Sequence, residues 1–246
     1  MSSVRAFTGR EAELAAIAKQ ASECAETGTP RVVLIEGPPG IGKSALVHEA
    51  LRVVAPDWQS HEVHFDPSDA DRPLDAVVQF LRYDARADAP RDVPRLVQML
   101  LDQIQRLAEP FVMVVENLHW ADDGTRDVLY QTARDAARSP LLVIATVQPQ
   151  HHESVSRFGR LADAHSTSVH LVLEPLRADE IRQRLVDASG LPVGAPVAER
   201  VLQATDGFPA FVDHVGRWLA SSGPGVSRHI DDALESFGDG GGPSGS

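Results

Sequence analysis

The chain is poor in cysteine and in basic residues, and it lacks a long apolar run. Its 246 residues include one cysteine, Cys24, so no disulfide can form within it, which fits a reducing, cytoplasmic location. The 35 Asp and Glu residues outnumber the 23 Lys and Arg residues, and the net charge is −12. Proteins that bind duplex nucleic acid carry a basic footprint, so we expect no direct binding of duplex DNA. No apolar run approaches the ~20 residues of a membrane span, so no membrane association is expected.

Short apolar runs alternate with amphipathic segments along most of the chain. Runs typical of buried strands lie at 31–36, 58–65, 111–115, 141–147 and 169–173. Helical spacing is found at 11–26, 43–54, 74–82, 93–107 and 125–138. Because each parallel strand needs a long crossover, this alternation predicts an α/β fold with a parallel sheet flanked by helices.

The pattern changes after Pro175, where three helical segments follow at 178–188, 196–204 and 211–220 without a further strand. The residues beyond are rich in Gly, Ser and Asp and offer little apolar surface to bury. We therefore expect a P-loop α/β domain over residues 1–175, a small helical lid over 176–220 and a flexible tail over 221–246.

A glycine-rich loop separates the first predicted strand from the helix after it. The string Gly37-Pro38-Pro39-Gly40-Ile41-Gly42-Lys43-Ser44 matches the P-loop pattern G-x-x-x-x-G-K-[ST] in full. Successive N–H groups of such a loop point at phosphate oxygens, and the helix that follows adds its positive end. We expect this loop, with Ala45 after it, to bind ATP or ADP. Lys43 would reach the β- and γ-phosphates, and the Ser44 hydroxyl would bind Mg²⁺.

An acidic segment follows the strand at 111–115. Glu116 comes directly after this strand, and ligands of open α/β sheets gather at such strand ends. P-loop proteins hold magnesium there with a carboxylate, so Glu116 is the second candidate ligand of Mg²⁺. The alternative for Glu116 is an ordinary solvated turn residue, and the sequence alone leaves both open.

Four segments resemble the ATPase module of large LuxR-type transcriptional regulators, which belongs to the STAND branch of the AAA+ ATPases. They are FTGREAEL at residues 7–14, the P-loop, ENLHWAD at 116–122 and GFP at 207–209, and the resemblance spans about residues 5–220. It implies a signal-gated, nucleotide-dependent switch that works through a protein partner or by self-association.

The resemblance also implies roles for single residues. Arg10 matches a motif near the nucleotide base, and Glu116 matches the magnesium-site acid. Asn117 stands where the family usually has the carboxylate that orients the attacking water. An asparagine cannot accept a proton as a carboxylate can, so we expect ATP hydrolysis to be slow. Asp122 or Asp123 could substitute for that carboxylate, which the spacing does not decide.

Two further positions matter for nucleotide sensing. Gln148 stands before Pro149 where the family often has an arginine, and its uncharged amide cannot supply a phosphate-sensing charge. Pro209 matches the lid proline that packs on adenine in related switches. The alternative for Gly207-Phe208-Pro209 is a plain turn between two lid helices.

These observations leave more than one function open. The first is an ATP-dependent switch with slow hydrolysis, so the chain is a possible ATPase with low turnover. The second is a binding module that holds ATP or ADP with negligible turnover, and a weaker third is a small-molecule kinase. LuxR-type regulators continue into repeats and a DNA-binding helix-turn-helix, whereas this sequence ends soon after the lid. We therefore expect a stand-alone or truncated member, or part of a larger protein.

Overall fold

The structure is a computed structural model and describes residues 8–81, 91–107, 109–136, 139–150 and 168–222. The strands are β1 (Arg31–Glu36), β2 (Gln59–His64), β3 (Phe111–Glu116), β4 (Leu141–Val147) and β5 (Ser168–Val172). The helices are α1 (Glu11–Thr27), α2 (Lys43–Val53), α3 (Asp75–Phe80), α4 (Val93–Leu107), α5 (Asp123–Asp135), α6 (Ala178–Ser189), α7 (Ala195–Thr205) and α8 (Pro209–Ser222).

The chain divides into two compact units. The sheet unit comprises Ala12–Pro38 and Lys43–Leu173, and the helical unit comprises Met1–Glu11, Pro39–Gly42 and Glu174–Ser246. The P-loop is therefore divided between the two units, because Pro39–Gly42 belong to the helical unit and its other residues belong to the sheet unit. The domain boundaries predicted at 175 and 220 stay predictions, and most of the predicted tail lies outside the described residues.

The sheet unit contains a five-stranded sheet in the order β2-β3-β4-β1-β5. Every pair of neighbouring strands is parallel. This confirms the predicted α/β fold. Because β4 lies between β1 and β3, its carboxyl end stands between the strand that leads into the P-loop and the strand that ends at Glu116.

Burial along the strands explains why they could be recognised in the sequence. Every residue of β3 and β4 is buried, whereas β2 at the sheet edge alternates between exposed and half-buried positions. Helices α4 and α5 pack against each other, and the core of this unit contains large side chains that are fully buried. Among these are Phe65, Leu96, Leu100, Leu118 and Leu141. Burying each of them stabilises the fold by about 1.5–3 kcal/mol.

The segment after β3 is held by side-chain contacts that bring it against α3. A short 3₁₀ helix, Leu118–Trp120, follows the strand, and Asp122 caps α5 by accepting the Thr125 N–H at 2.9 Å. The second oxygen of Asp122 accepts the Leu74 N–H at 3.1 Å. Asp122 thus serves the local fold in this structure.

The helical unit packs α6, α7 and α8 around a small apolar core, which confirms that the segment after the sheet is helical. The buried side chains of this core include Ile181, Leu185, Val201, Val212, Val215 and Leu219. Arg184 on α6 forms a two-pronged ion pair with Asp213 on α8, with Nε–Oδ1 at 2.7 Å and Nη2–Oδ2 at 3.0 Å. Within the described ranges, no helix has the length and apolarity needed to cross a bilayer.

Candidate functional site

Lys43 begins α2 and lies almost fully buried, with 8% of its surface exposed. Its ammonium group donates hydrogen bonds to the carbonyl oxygens of Gly37 at 2.7 Å and Pro38 at 3.0 Å. Burial lowers the pKa of Lys43 from its ordinary value, and the negative charge of Glu116 opposes this shift. A poorly hydrated cation gains most from an anionic partner, which suits a residue predicted to meet phosphates.

Glu116 ends β3 with only 1% of its surface exposed. Its Oε2 accepts hydrogen bonds from the Ser44 hydroxyl at 3.0 Å and from the Thr146 hydroxyl at 2.9 Å. Its Oε1 is buried and has no hydrogen-bond partner among the described residues. The structure therefore brings together the two predicted magnesium ligands, Ser44 and Glu116, although they are 72 positions apart in sequence.

The residues present at Glu116 fit a bound magnesium ion. A buried carboxylate oxygen without a partner costs free energy, and a cation or its bound water would remove that cost. Carboxylate and hydroxyl oxygens are ligands that Mg²⁺ prefers, and magnesium commonly takes only one or two of them from the protein. The oxygens of Ser44 and Glu116 meet this requirement.

Thr146 is a residue of the site that the sequence did not reveal. It is fully buried near the carboxyl end of β4 and donates its hydroxyl proton to Glu116. The same hydroxyl oxygen accepts the backbone N–H of Asn117 at 2.9 Å. One side chain on β4 thus fixes both the acidic side chain at the end of β3 and the backbone of the residue after it.

Asn117 adopts the left-handed backbone conformation, with φ 56° and ψ 44°, which asparagine tolerates better than most residues. Its carboxamide nitrogen lies 3.3 Å from the Phe65 carbonyl oxygen, to which it donates, and 3.3 Å from His64 Nε2. The side chain is therefore turned towards the end of β2. Its place beside an attacking water stays a prediction.

Gln148 follows β4 and is half-buried. Its carboxamide oxygen accepts a hydrogen bond from the Gln150 side chain at 2.6 Å. This local contact involves no charged group. Its contact with nucleotide stays a prediction.

Within the helical unit, Arg10 contacts the P-loop itself. It is 6% exposed, and its Nη2 donates hydrogen bonds to the carbonyl oxygens of Ile41 at 3.3 Å and Glu174 at 2.6 Å. The family resemblance implied that Arg10 lies at the base end of the nucleotide, and nothing in the sequence indicated this contact with the loop. The predicted proximity of Arg10 to the base stays a prediction.

Pro209 begins α8 in the helical unit and is buried beside the P-loop. A Cβ added to Gly42 would lie 3.8 Å from its Cγ, and one added to Gly40 would lie 3.6 Å from the Cβ of Ala210. The GFP segment links α7 to α8, and its proline packs along the tip of the loop. Contact of Pro209 with adenine stays a prediction.

Comparison with known proteins identifies the family of the chain. The profile of the AAA ATPase domain family matches residues 6–144, which is more than half of the chain. The chain belongs to the AAA ATPase domain family.

This AAA ATPase domain has distant relatives among known proteins. The Holliday junction branch migration complex subunit RuvB of Mycobacterium avium is 26% identical over 196 residues, which cover 77% of this chain and 50% of RuvB. The chain thus spans half the length of that relative.

Solved structures share the fold at low sequence identity. The Aeropyrum pernix ORC1 protein in complex with DNA has a TM-score of 0.64 at 18% identity, covering 95% of this chain and 66% of ORC1. A Pyrococcus horikoshii STAND protein with a tetratricopeptide repeat sensor has a TM-score of 0.53 at 16% identity, covering 95% of this chain and 33% of that one. Such low identities show a shared fold alone. The predicted AAA ATPase module is confirmed by the family match, and its place in the STAND branch stays a prediction.

Proposed function

We propose that this AAA ATPase domain binds ATP or ADP with magnesium and acts as a nucleotide-dependent switch with slow hydrolysis. The observation that carries the proposal is the buried carboxylate of Glu116, whose Oε2 is bonded to the P-loop hydroxyl of Ser44 while Oε1 has no partner among the described residues. A P-loop alone fits many nucleotide proteins, whereas this contact joins the loop to an acid on a second strand end, as magnesium binding requires.

The proposal gives a role to three residues of the site. Lys43 would exchange the carbonyl oxygens of Gly37 and Pro38 for phosphate oxygens, which carry full charge and bind an ammonium more strongly. Ser44 and Glu116 would hold the magnesium ion. Bound magnesium neutralises the charge that develops on the β- and γ-phosphates.

The proposed slow hydrolysis rests on Asn117, which stands where a carboxylate would activate water. Asn117 has no basic oxygen, and its carboxamide nitrogen faces the end of β2. General-base help is worth about 10²–10⁴-fold in rate, so a site without it hydrolyses bound ATP more slowly. A bound state of that kind suits a switch, because partners can respond to the nucleotide before it is consumed.

We further propose that the domain signals as STAND proteins do. Its nucleotide state would be sensed by a protein partner or by a second copy of the chain, in the cytoplasm. The four sequence segments favour a module of the kind found in LuxR-type regulators. The alternative is a module that binds ATP or ADP without hydrolysis, and the uncharged Asn117 and Gln148 favour it.

A titration followed by a turnover assay separates these functions. A fluorescent ATP analogue is titrated with magnesium into wild type, Lys43→Ala and a control, Lys19→Ala, whose side chain is 71% exposed. Wild type and the control should bind alike, and Lys43→Ala should bind far more weakly. Phosphate release at saturating ATP then separates slow hydrolysis from none. Equal binding by Lys43→Ala and wild type would rule out the P-loop as the nucleotide site.

A further inference from the structure

Two carbonyl groups at the tip of the P-loop are held by other parts of the helical unit. The Gly40 carbonyl oxygen accepts the N–H of Ala210, in the first turn of α8, at 3.4 Å. The Ile41 carbonyl oxygen accepts a hydrogen bond from Arg10 at 3.3 Å. Of these two contacts, the one from Arg10 is charge-assisted and is therefore the stronger.

Holding a carbonyl oxygen also fixes the N–H that follows it. A trans peptide unit is planar, and its C=O and N–H bonds point in opposite directions. No peptide bond in the described ranges is cis, so this rule applies to the loop. The contact from Arg10 to the Ile41 oxygen thus turns the Gly42 N–H away from Arg10. Neither the Ile41 N–H nor the Gly42 N–H donates to an acceptor within the described part of the chain. These are N–H groups of the kind that a P-loop presents to phosphate.

The loop would not fix these peptide planes without help. Gly40 and Gly42 have φ values of 80° and 97°, and glycine reaches either hand of the backbone at little steric cost. The plane of the Ile41–Gly42 peptide reverses by rotation about ψ of Ile41 and φ of Gly42, and the glycine offers little steric resistance to its part of that rotation. Such a reversal would turn the Ile41 carbonyl oxygen towards the phosphates. An outside donor to the Ile41 oxygen prevents that reversal.

Arg10 is suited to this task because its own position is fixed. The side chain is buried, and its Nη2 also donates to the Glu174 carbonyl oxygen at 2.6 Å. The guanidinium therefore bridges the P-loop tip and the segment that opens the helical unit after β5. Both bonds come from Nη2, whose N–H groups lie in the rigid guanidinium plane, so the two oxygens are held in a fixed geometry, whereas a lysine ammonium lies at the end of a flexible stem.

We propose that Arg10 is a positioning residue of the phosphate site, which holds the Ile41 peptide so that the Gly42 N–H faces the β-phosphate. The inference rests on the proposed nucleotide-binding function and assigns Arg10 to the phosphate chain of the ligand. A residue that acted on the base would affect only ligands that carry a base.

The test compares a ligand with a base and one without. Magnesium tripolyphosphate and magnesium ATP each compete with a fluorescent ADP analogue on wild type, Arg10→Gln and Arg10→Lys. The control is Arg182→Gln, which removes an exposed arginine of α6. Arg10→Gln should weaken both competitors by the same factor, about ten-fold or more, as expected for losing a charge-assisted hydrogen bond. Arg10→Lys should lie between wild type and Arg10→Gln, and the control should match wild type.

Two results would overturn the inference while the proposed function stands: weaker ATP binding with unchanged tripolyphosphate binding, or no change for either ligand. Should Arg10→Gln fail to fold, as judged by circular dichroism, the amide resonances of Ile41 and Gly42 in wild type decide. They should shift when magnesium tripolyphosphate is added, and unchanged resonances would contradict the assignment. If wild type binds neither ligand, the proposed function fails and the inference fails with it.

Discussion

The hydroxyl of Thr146 donates a hydrogen bond to Glu116 Oε2 at 2.9 Å and accepts the N–H of Asn117 at the same distance. Glu116 and Asn117 follow each other in the chain, and both belong to the proposed magnesium and water site. A single hydroxyl on the neighbouring strand therefore fixes the side chain of one and the backbone of the other. Substituting Thr146 is a direct test of the site, because this residue can be changed without altering the P-loop.

We expect Thr146→Val to lower both stability and magnesium-dependent ATP binding. Valine keeps the shape but removes the donor to Glu116 and the acceptor of the Asn117 N–H, and a buried polar group left unpaired costs about 1–3 kcal/mol. Thermal unfolding and titration with ATP and magnesium measure the two effects. Thr146→Ser keeps the hydroxyl and is the matched control. If Thr146→Val behaves as Thr146→Ser does in both measurements, the hydroxyl does not organise the site.

Glu116→Gln should remove most of the magnesium dependence of ATP binding. The amide oxygen of glutamine can still accept from Ser44 and Thr146, so the local contacts survive, but the negative charge that would hold the cation is lost. ATP affinity is compared with magnesium and with EDTA. The wild-type difference should shrink in Glu116→Gln and persist in Glu26→Gln, which alters an exposed carboxylate on α1. An undiminished magnesium effect in Glu116→Gln would place the cation elsewhere.

The thiol of Cys24 should be inert in the folded protein. It is fully buried, and burial raises its pKa to about 11 while the charge of Arg31 partly opposes this shift. At pH 8 roughly one thiol in a thousand is then ionised, and the thiolate is the reactive form. Ellman's reagent should therefore react slowly in buffer and fast in denaturant. Fast reaction in buffer would show that α1 opens readily.

The same shift predicts a loss of stability at alkaline pH. Because the pKa of Cys24 is raised above its ordinary value of 9.0, the folded state keeps the proton longer than the unfolded state does. The contribution is complete below pH 9 and is lost as the pH rises towards 11, by about 1–3 kcal/mol. Denaturant unfolding of wild type and Cys24→Ala across this range isolates it. Parallel pH profiles for the two proteins would contradict the prediction.

The sequence predicted the elements of the fold to within a few residues because the signals are local. The strand Phe111–Glu116 is buried on both faces. A strand in that position needs a continuous apolar run, which can be recognised in its own sequence. The pairing of Ser44 with Glu116 could also be predicted, because a P-loop and an acidic strand end serve one ligand. Both of these inferences needed no knowledge of the strand order.

The roles of Thr146 and Arg10 could not be found in the same way. A threonine near the end of an apolar strand is an ordinary strand residue, and it meets Glu116 because β4 lies between β1 and β3. The contact of Arg10 with Ile41 spans 31 positions and depends on packing within the helical unit. Both contacts follow from tertiary structure, which periodicity and motif spacing do not encode.

The last prediction concerns turnover: wild type hydrolyses ATP slowly, and Asn117→Asp hydrolyses it faster. The carboxamide nitrogen of Asn117 donates to the Phe65 carbonyl oxygen and lies 3.3 Å from His64 Nε2. An aspartate has no proton to donate to the Phe65 oxygen, so repulsion should turn its carboxylate away from β2 and free it to act on water. General-base help is worth about 10²–10⁴-fold, and a gain of even a small part of this would be measurable.

Phosphate release at saturating ATP, with binding measured in parallel, decides this prediction. Asn117→Glu should also raise the rate, and Asn117→Ala serves as the control because it removes the carboxamide without adding a base. Hydrolysis can also be limited by the absence of an arginine that a partner supplies. In that case the rate increase of Asn117→Asp should appear only when the partner is present. Brisk turnover by wild type that is unchanged in Asn117→Ala would show that Asn117 lies outside the water site, since a residue that positions the nucleophile cannot be truncated without altering the rate.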